Sequence, residues 1–231
     1  MQETQSSFKL IISTAYLPPV AYLAWLSVAD EIHIEINETY PKQTWRNRCT
    51  IASANGPLNL VIPVEKPLGN RTPTRLVEVS SHKDWQKQHW KSIVSSYRKS
   101  AFFTHYGDIL EPFFAKKFVE TLIDWNDMLL NAICRELGFK IQPMPTQSFE
   151  RNPEGYLDLR FSLSPKKLQK ASTETTFIPY FQGFSEKYGF LPNLSIIDVL
   201  FNMGPNTTAY LRQCGKNLLA QKFSISDELL S

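Results

Sequence analysis

Residues 42–48 read Lys42-Gln43-Thr44-Trp45-Arg46-Asn47-Arg48, placing three cations, two amides and an indole within seven positions. Two guanidinium groups can grip a phosphate or carboxylate bidentately, and an indole face can stack on a base or a sugar. An extended backbone over 44–50 would put Arg46 and Arg48 on one side, because side chains alternate along a strand. A basic strand edge that resists aggregation has the same composition. The segment belongs to a wider bias. Residues 40–100 hold eleven Lys or Arg against three acids, a balance of +8, so the remainder carries −5 of the overall +3. Positive charge concentrated in one stretch suits a small anionic ligand.

A second constellation is the turn Ser13-Thr14-Ala15-Tyr16, which follows the first apolar run. Open α/β sheets take ligands at the carboxyl ends of their strands, and a helix opened by Pro19 would offer free N–H groups to an anion. Tyr16 and Tyr22 suit either a core edge or a ligand. His89 lies four residues from Trp85 and between Lys87 and Lys91. Cationic neighbours should lower its pKa and leave a neutral imidazole at pH 7, although a lone histidine beside tryptophans is also a common structural group. Asp198 interrupts an apolar run, and an acid there demands a partner or a ligand. His89 and Asp198 are therefore the candidate catalytic groups. Tyr16, Tyr22, Lys42, Trp45, Arg46, Asn47 and Arg48 are the candidate substrate-binding groups. Asp124 and Asn126, two residues apart, point to different helix faces and do not form a dyad.

Other chemistries lack their signatures. No Walker loop, nucleophile elbow or paired-histidine metal motif occurs, so neither metal nor cofactor is implied. Cys49, Cys134 and Cys214 are odd in number and lack zinc or disulfide spacing. The apolar stretch from Leu10 to Val28 is broken by Ser13, Thr14, Pro18 and Pro19, too soon for a membrane span. With no signal-type opening, a cytoplasmic location is expected. A net charge of +3 without a recognised motif argues against nucleic acid as partner.

The elements that must position these groups follow from periodicity. Lys9–Thr14 reads as a buried strand, Val20–Val28 as a short helix, and Glu31–Asn37 as a strand with Ile32, Ile34 and Ile36 on one face. Asn55-Gly56 joins two apolar runs as a hairpin, both residues tolerating positive φ. Arg75–Val79 is a further strand after a turn-rich segment, 67–73. Asp84 caps a helix carrying Trp90, Ile93, Val94 and Tyr97 on one face. One helical pattern runs from Pro112 to Leu137, ended by Gly138. Tyr156–Phe161 alternates as a strand, 166–176 is a polar linker, 181–187 a helical turn, and Ser195–Asn202 a compact helix closed by Gly204 and Pro205. The expected fold is α/β, a Rossmann-like or nucleotidyltransferase-like layered arrangement with a largely parallel sheet, a β-hairpin insertion and flanking helices. One domain spans 8–231, preceded by a disordered N-terminus, 1–7.

The run Ser13-Thr14-Ala15-Tyr16-Leu17-Pro18-Pro19-Val20-Ala21-Tyr22 resembles the opening motif of the WbqC-like family, Gln-Pro-x-Tyr-Leu-Pro-x-x-Gly-Tyr. Tyr16, Leu17, Pro18 and Tyr22 match, whereas Ser13, Thr14 and Ala21 stand where the family has Gln, Pro and Gly. Trp45 with Asn47-Arg48, Pro63-Val64, Trp85 with Lys87 and His89, Tyr97, and Asp124 with Asn126 extend the likeness, as does the run from Leu194 to Gly204. It covers roughly 9–205 and is poorest over 149–178. The resemblance implies a bacterial protein of lipopolysaccharide or other surface-polysaccharide biosynthesis, a transferase with a nucleotide-activated or aminoacyl substrate. The competing expectation is a non-catalytic binding or scaffold protein of envelope biogenesis whose site has decayed.

Overall fold

Alternation of side chains builds the central sheet. β1 (Lys9–Ser13) and β2 (Glu31–Glu35) run parallel, with Leu10 opposite Ile32 and Ile12 opposite Ile34. β7 (Met144–Pro145) joins β2 and β8 (Tyr156–Asp158) joins β1, also in parallel, giving the order β7-β2-β1-β8. One face of each strand is apolar and enters the core through Leu10, Ile12, Ile32 and Ile34. The other face carries Lys9, Ile11, Ser13, Glu31, His33 and Glu35. The computed structural model describes residues 8–81, 84–115, 120–140, 142–163 and 176–228, with side chains as far as Lys222. Residues 1–7, His82 and positions 166–175 of the expected linker 166–176 lie outside them.

The chain between β1 and β2 forms α1 (Val20–Leu26), buried along its whole length. The result is a Rossmann-like layered α/β fold, with helices flanking a parallel sheet and an antiparallel hairpin beside it. The hairpin pairs β3 (Arg48–Ser53) with β4 (Gly56–Val61). Its turn is Ala54-Asn55, and of the expected Asn-Gly pair only Gly56 takes positive φ, at 97°. The expected strand 75–79 shrinks to β6 (Glu78–Val79), which pairs with β5 (Val64–Glu65). Thr74–Leu76 is a 3-10 turn instead, because the Thr74 and Arg75 N–H groups donate to the carbonyls of Glu38 and Ile36.

α2 (Trp85–Tyr97) buries Trp85, His89, Ile93 and Tyr97, four positions each one turn apart. Asp84 occupies its N-cap without a side-chain cap bond. The pattern from Pro112 to Leu137 divides between two helices, α3 (Phe103–Ala115), which contains Pro112, and α4 (Leu122–Glu136). α4 has its own start signal. The Thr121 hydroxyl accepts a bond from the Asp124 N–H, and Thr121 bridges to Glu78.

α5 (Ser185–Tyr188) is one turn, and α6 (Ile196–Met203) ends at Gly204, whose φ is 55°. A Cβ at Gly204 would lie 2.5 Å from the Phe102 ring. The last helix, α7 (Thr207–Glu228), lies against α1. Their approach depends on Gly215, where a Cβ would sit 2.5 Å from the Ala24 carbonyl oxygen. The three cysteines are buried and free. Among the described residues no helix is long and apolar enough to cross a membrane.

Candidate functional site

The parallel strands deliver polar groups to one edge of the sheet. β1 ends at Ser13, β2 at Glu35 with Glu38 just beyond, and β8 is followed by Arg160; all four are buried. Arg160 donates to Glu35 Oε2 at 2.9 Å and to Asp158 Oδ2 at 2.7 Å. The other Glu35 oxygen accepts from the Asn37 N–H and the Thr146 hydroxyl. Arg46 reaches the same edge from the segment before the hairpin. Its Nε donates to Glu38 Oε1 at 2.8 Å and its Nη2 to the Ser13 hydroxyl, which in turn donates to the Arg160 carbonyl at 3.3 Å. Burial raises the Glu38 pKa against the opposing pull of Arg46.

The first turn packs into this network. The Tyr16 N–H donates to the Trp45 carbonyl at 2.9 Å. The Asn126 amide, from α4, donates to Thr14 Oγ1 at 3.0 Å and to the Arg46 carbonyl at 2.8 Å. Asn47 exchanges two bonds with the backbone of Ile62. The sequence-predicted groups around Tyr16 and Arg46 thus lie together.

Tyr16 and His89 form a buried pair, with 2.9 Å between the hydroxyl and Nδ1. The imidazole also bonds the Val61 carbonyl. A carbonyl can only accept, so the nitrogen facing Val61 carries the ring proton, and Nδ1 accepts a hydrogen bond from the Tyr16 hydroxyl. Burial lowers the His89 pKa to about 4, while the Val61 carbonyl pulls the other way. The lysines expected to cause the shift are not its source. Burial likewise raises Tyr16 well above 10, so both partners are neutral at pH 7.

Several polar atoms of this region are buried without a hydrogen-bond partner among the described residues. They are the Tyr22 hydroxyl, Glu38 Oε2, Thr44 Oγ1, Trp45 Nε1, Arg48 Nε and Asn126 Oδ1. Their residues are neighbours of Arg46 in sequence, bond to it, or, for Tyr22, feel its charge. A buried unsatisfied group costs about 1–3 kcal/mol, and six of them belong to residues associated with this one arginine.

Three expectations take a different form. The α1 N-terminus has no free donors at its first two residues, because Val20 N–H donates to the Leu194 carbonyl and Ala21 N–H to Asn193 Oδ1. Arg46 and Arg48 do not share a strand face, since β3 begins at Arg48 and Arg46 lies in the preceding turn, directed into Glu38. Asp198 lies in a separate cage. Its Oδ1 accepts from Tyr97 at 2.8 Å, and its Oδ2 from Tyr180 and Gln182. Lys42 is exposed beside the site.

Sequence reasoning missed Glu35, Glu38 and Arg160. The available signals were a charged residue closing an alternating strand and the acid-x-base pair Asp158-Leu159-Arg160. On the open sheet face a groove of about 600 Å³ lies among His33, Tyr156, Met144 and Thr146, the last being the residue that bonds Glu35. Among the described residues no group of three or more His, Cys, Asp or Glu side chains is placed to hold a metal ion.

A family model described as the WbqC-like protein family matches residues 14–160. That span runs from the turn after β1 to Arg160 and takes in nearly every residue of the site. The protein named "Uncharacterized protein Rv1507c", from Mycobacterium tuberculosis, is 27% identical over 226 residues, covering 88% of this chain and 97% of its own length. No solved structure matches the chain.

Proposed function

The chain belongs to the WbqC-like protein family, and from that premise we propose that it is a transferase of bacterial surface-polysaccharide biosynthesis. Its substrate is a small anion, nucleotide-activated or aminoacyl, held at the carboxyl edge of the parallel sheet. The observation that carries this reading is the set of unpartnered buried atoms round Arg46. Trp45 Nε1 and Arg48 Nε supply donors to an anion, exposed Lys42 adds charge from the rim, and Glu38 Oε2 and Asn126 Oδ1 accept from hydroxyl or amide groups of the same ligand. Arg46 is already neutralised by Glu38, so it orients the site rather than carrying the ligand's charge.

Proton handling falls to Glu38, whose carboxyl burial holds above its ordinary pKa and whose second oxygen has no hydrogen-bond partner among the described residues. His89 has both nitrogens engaged and holds the Tyr16 hydroxyl in place. Asp198, closed in its cage, holds the fold. Thermal-shift titration with phosphate, nucleoside diphosphates and nucleotide sugars tests the proposal, comparing wild type with Arg48→Ala. Stabilisation by at least one of these anions that disappears in Arg48→Ala, without a change in the unliganded melting temperature, is expected. Absence of stabilisation by all of them, or stabilisation that Arg48→Ala leaves intact, overturns it.

A second reading, a non-catalytic binding or scaffold protein of envelope biogenesis, draws on one feature. Arg160, Glu35 and Asp158 satisfy one another without any ligand. It requires anion binding without turnover of any nucleotide-activated sugar or acyl donor.

A further inference from the structure

α4 turns Ile123, Asp127, Leu130 and Asn131 to one side, at spacings of three and four residues that share a helix face. They meet Ile34 and Ile36 from the end of β2 and Pro143 and Pro145 from the segment around β7. Together these residues line a cavity of about 260 Å³. Its walls are branched aliphatic side chains and proline rings, with the Asp127 carboxyl and the Asn131 amide as the polar groups. Asp127 is half-buried, and no hydrogen bond or ion pair to it occurs among the described residues. The charged neighbour that acts on it is another acid, Asp124, and burial with that repulsion raises its pKa to about 6. A carboxyl set in an apolar cavity without a counter-ion leaves its charge uncompensated, which is costly unless something from outside supplies the cation.

The cavity also restricts which cation. Calcium requires six to eight oxygen ligands, and two polar side chains among aliphatic ones do not supply them. An organic ammonium needs acceptors for its N–H groups, which Asp127 and the exposed Asn131 offer at the rim, and an apolar body, which the isoleucines and prolines accept. We propose that this cavity is a binding site for a small primary ammonium ion carrying a short aliphatic body, with the ammonium between Asp127 and Asn131. Asp127 and Arg46 act on the buried Tyr22 hydroxyl with opposite sign, the acid raising its pKa and the arginine lowering it. The inference does not depend on the anion site proposed above.

The test uses the full chain with n-butylammonium, n-butanol and butyrate as probes, followed by calorimetry and by carboxyl and methyl NMR. Saturable binding of n-butylammonium is expected, at least about tenfold tighter than that of n-butanol, with none for butyrate. The bound amine should displace the resonances of Ile123 and Ile34 and lower the pH at which the Asp127 carboxyl titrates. Asp127→Asn should weaken the amine to the level of the alcohol and leave the alcohol unchanged. Equal affinity for amine and alcohol, no saturable binding of the amine, or full amine affinity in Asp127→Asn overturns the proposal. The first two comparisons use wild type alone, and none involves phosphate or nucleotide, so a failure here is distinct from a failure at Arg48.

Discussion

Asp198 and Glu38 are both buried carboxyls whose pKa burial raises, yet they are served differently by the chain. Both oxygens of Asp198 accept bonds, from Tyr97, Tyr180 and Gln182, and the Tyr97 oxygen also accepts from the Ala52 N–H, which ties α2, α6 and the hairpin together. Glu38 spends one oxygen on Arg46, and the other has no hydrogen-bond partner among the described residues, beside further atoms in the same condition. Full saturation is how a protein makes a buried polar group structural. Incomplete saturation concentrated in one place is how it leaves room for a ligand.

The sharpest way to break that comparison is Asp198→Ala. It strands three donors in the interior and should cost about 4 kcal/mol in denaturant unfolding. A loss under about 1 kcal/mol would mean that the cage is not structural. Arg46→Met comes next, at about 3 kcal/mol, because it leaves Glu38 as a buried charge without a counter-ion. The double variant Arg46→Met with Glu38→Leu should recover most of that loss while losing anion binding, the outcome that would assign the pair to the proposed site. Failure of the double variant to recover would assign the pair to the fold.

Two pH effects are smaller and opposite in sign. His89 in the folded chain takes its proton only near pH 4, against an ordinary value of 6.5. The unfolded chain therefore binds that proton first, and stability falls as pH drops from 6.5 towards 4, by at most about 3 kcal/mol. His89→Gln should flatten this slope in melting temperature against pH. Asp127 protonates in the folded chain near 6, against 3.8 ordinarily. Here the folded state binds the proton first, so stability rises as pH falls through that window and is lost as pH climbs back. Asp127→Asn should remove the effect and raise the melting temperature at pH 7. Arg48→Ala should change unliganded stability least, by under about 0.5 kcal/mol, since its guanidinium Nε has no hydrogen-bond partner to lose among the described residues.

Much of the frame is legible from local pattern. Alternation at 31–36 and the Gly56 turn signal gave strands and hairpin, because those signals depend on neighbours within a few residues. The pattern from Pro112 to Leu137 misled, since apolar spacing continues across two helices and cannot register that Thr121 starts a new one. α7 went unread because its apolar positions show little helical periodicity. Around Arg46, types and spacing made Tyr16, Arg46 and His89 candidates but did not reveal their hydrogen-bond partners. Arg160 meets Glu35 across 125 residues, and Asp198 meets Tyr97 across 101, separations that no local pattern encodes. The need of Asp198 for company was readable; which side chains would provide it was not.

Gly215 gives the C-terminal helix an influence out of proportion to its distance from the site. It allows α7 to press directly on the α1 backbone at Ala24, and α1 continues from the turn that holds Tyr16. An alanine at 215 has no neighbouring space for its methyl group, so the two helices must part. The front turn, at the opposite end of the chain, would be carried along as a rigid extension of α1. Substitutions at this helix contact therefore belong among the changes able to disturb the proposed site without altering a single residue in it.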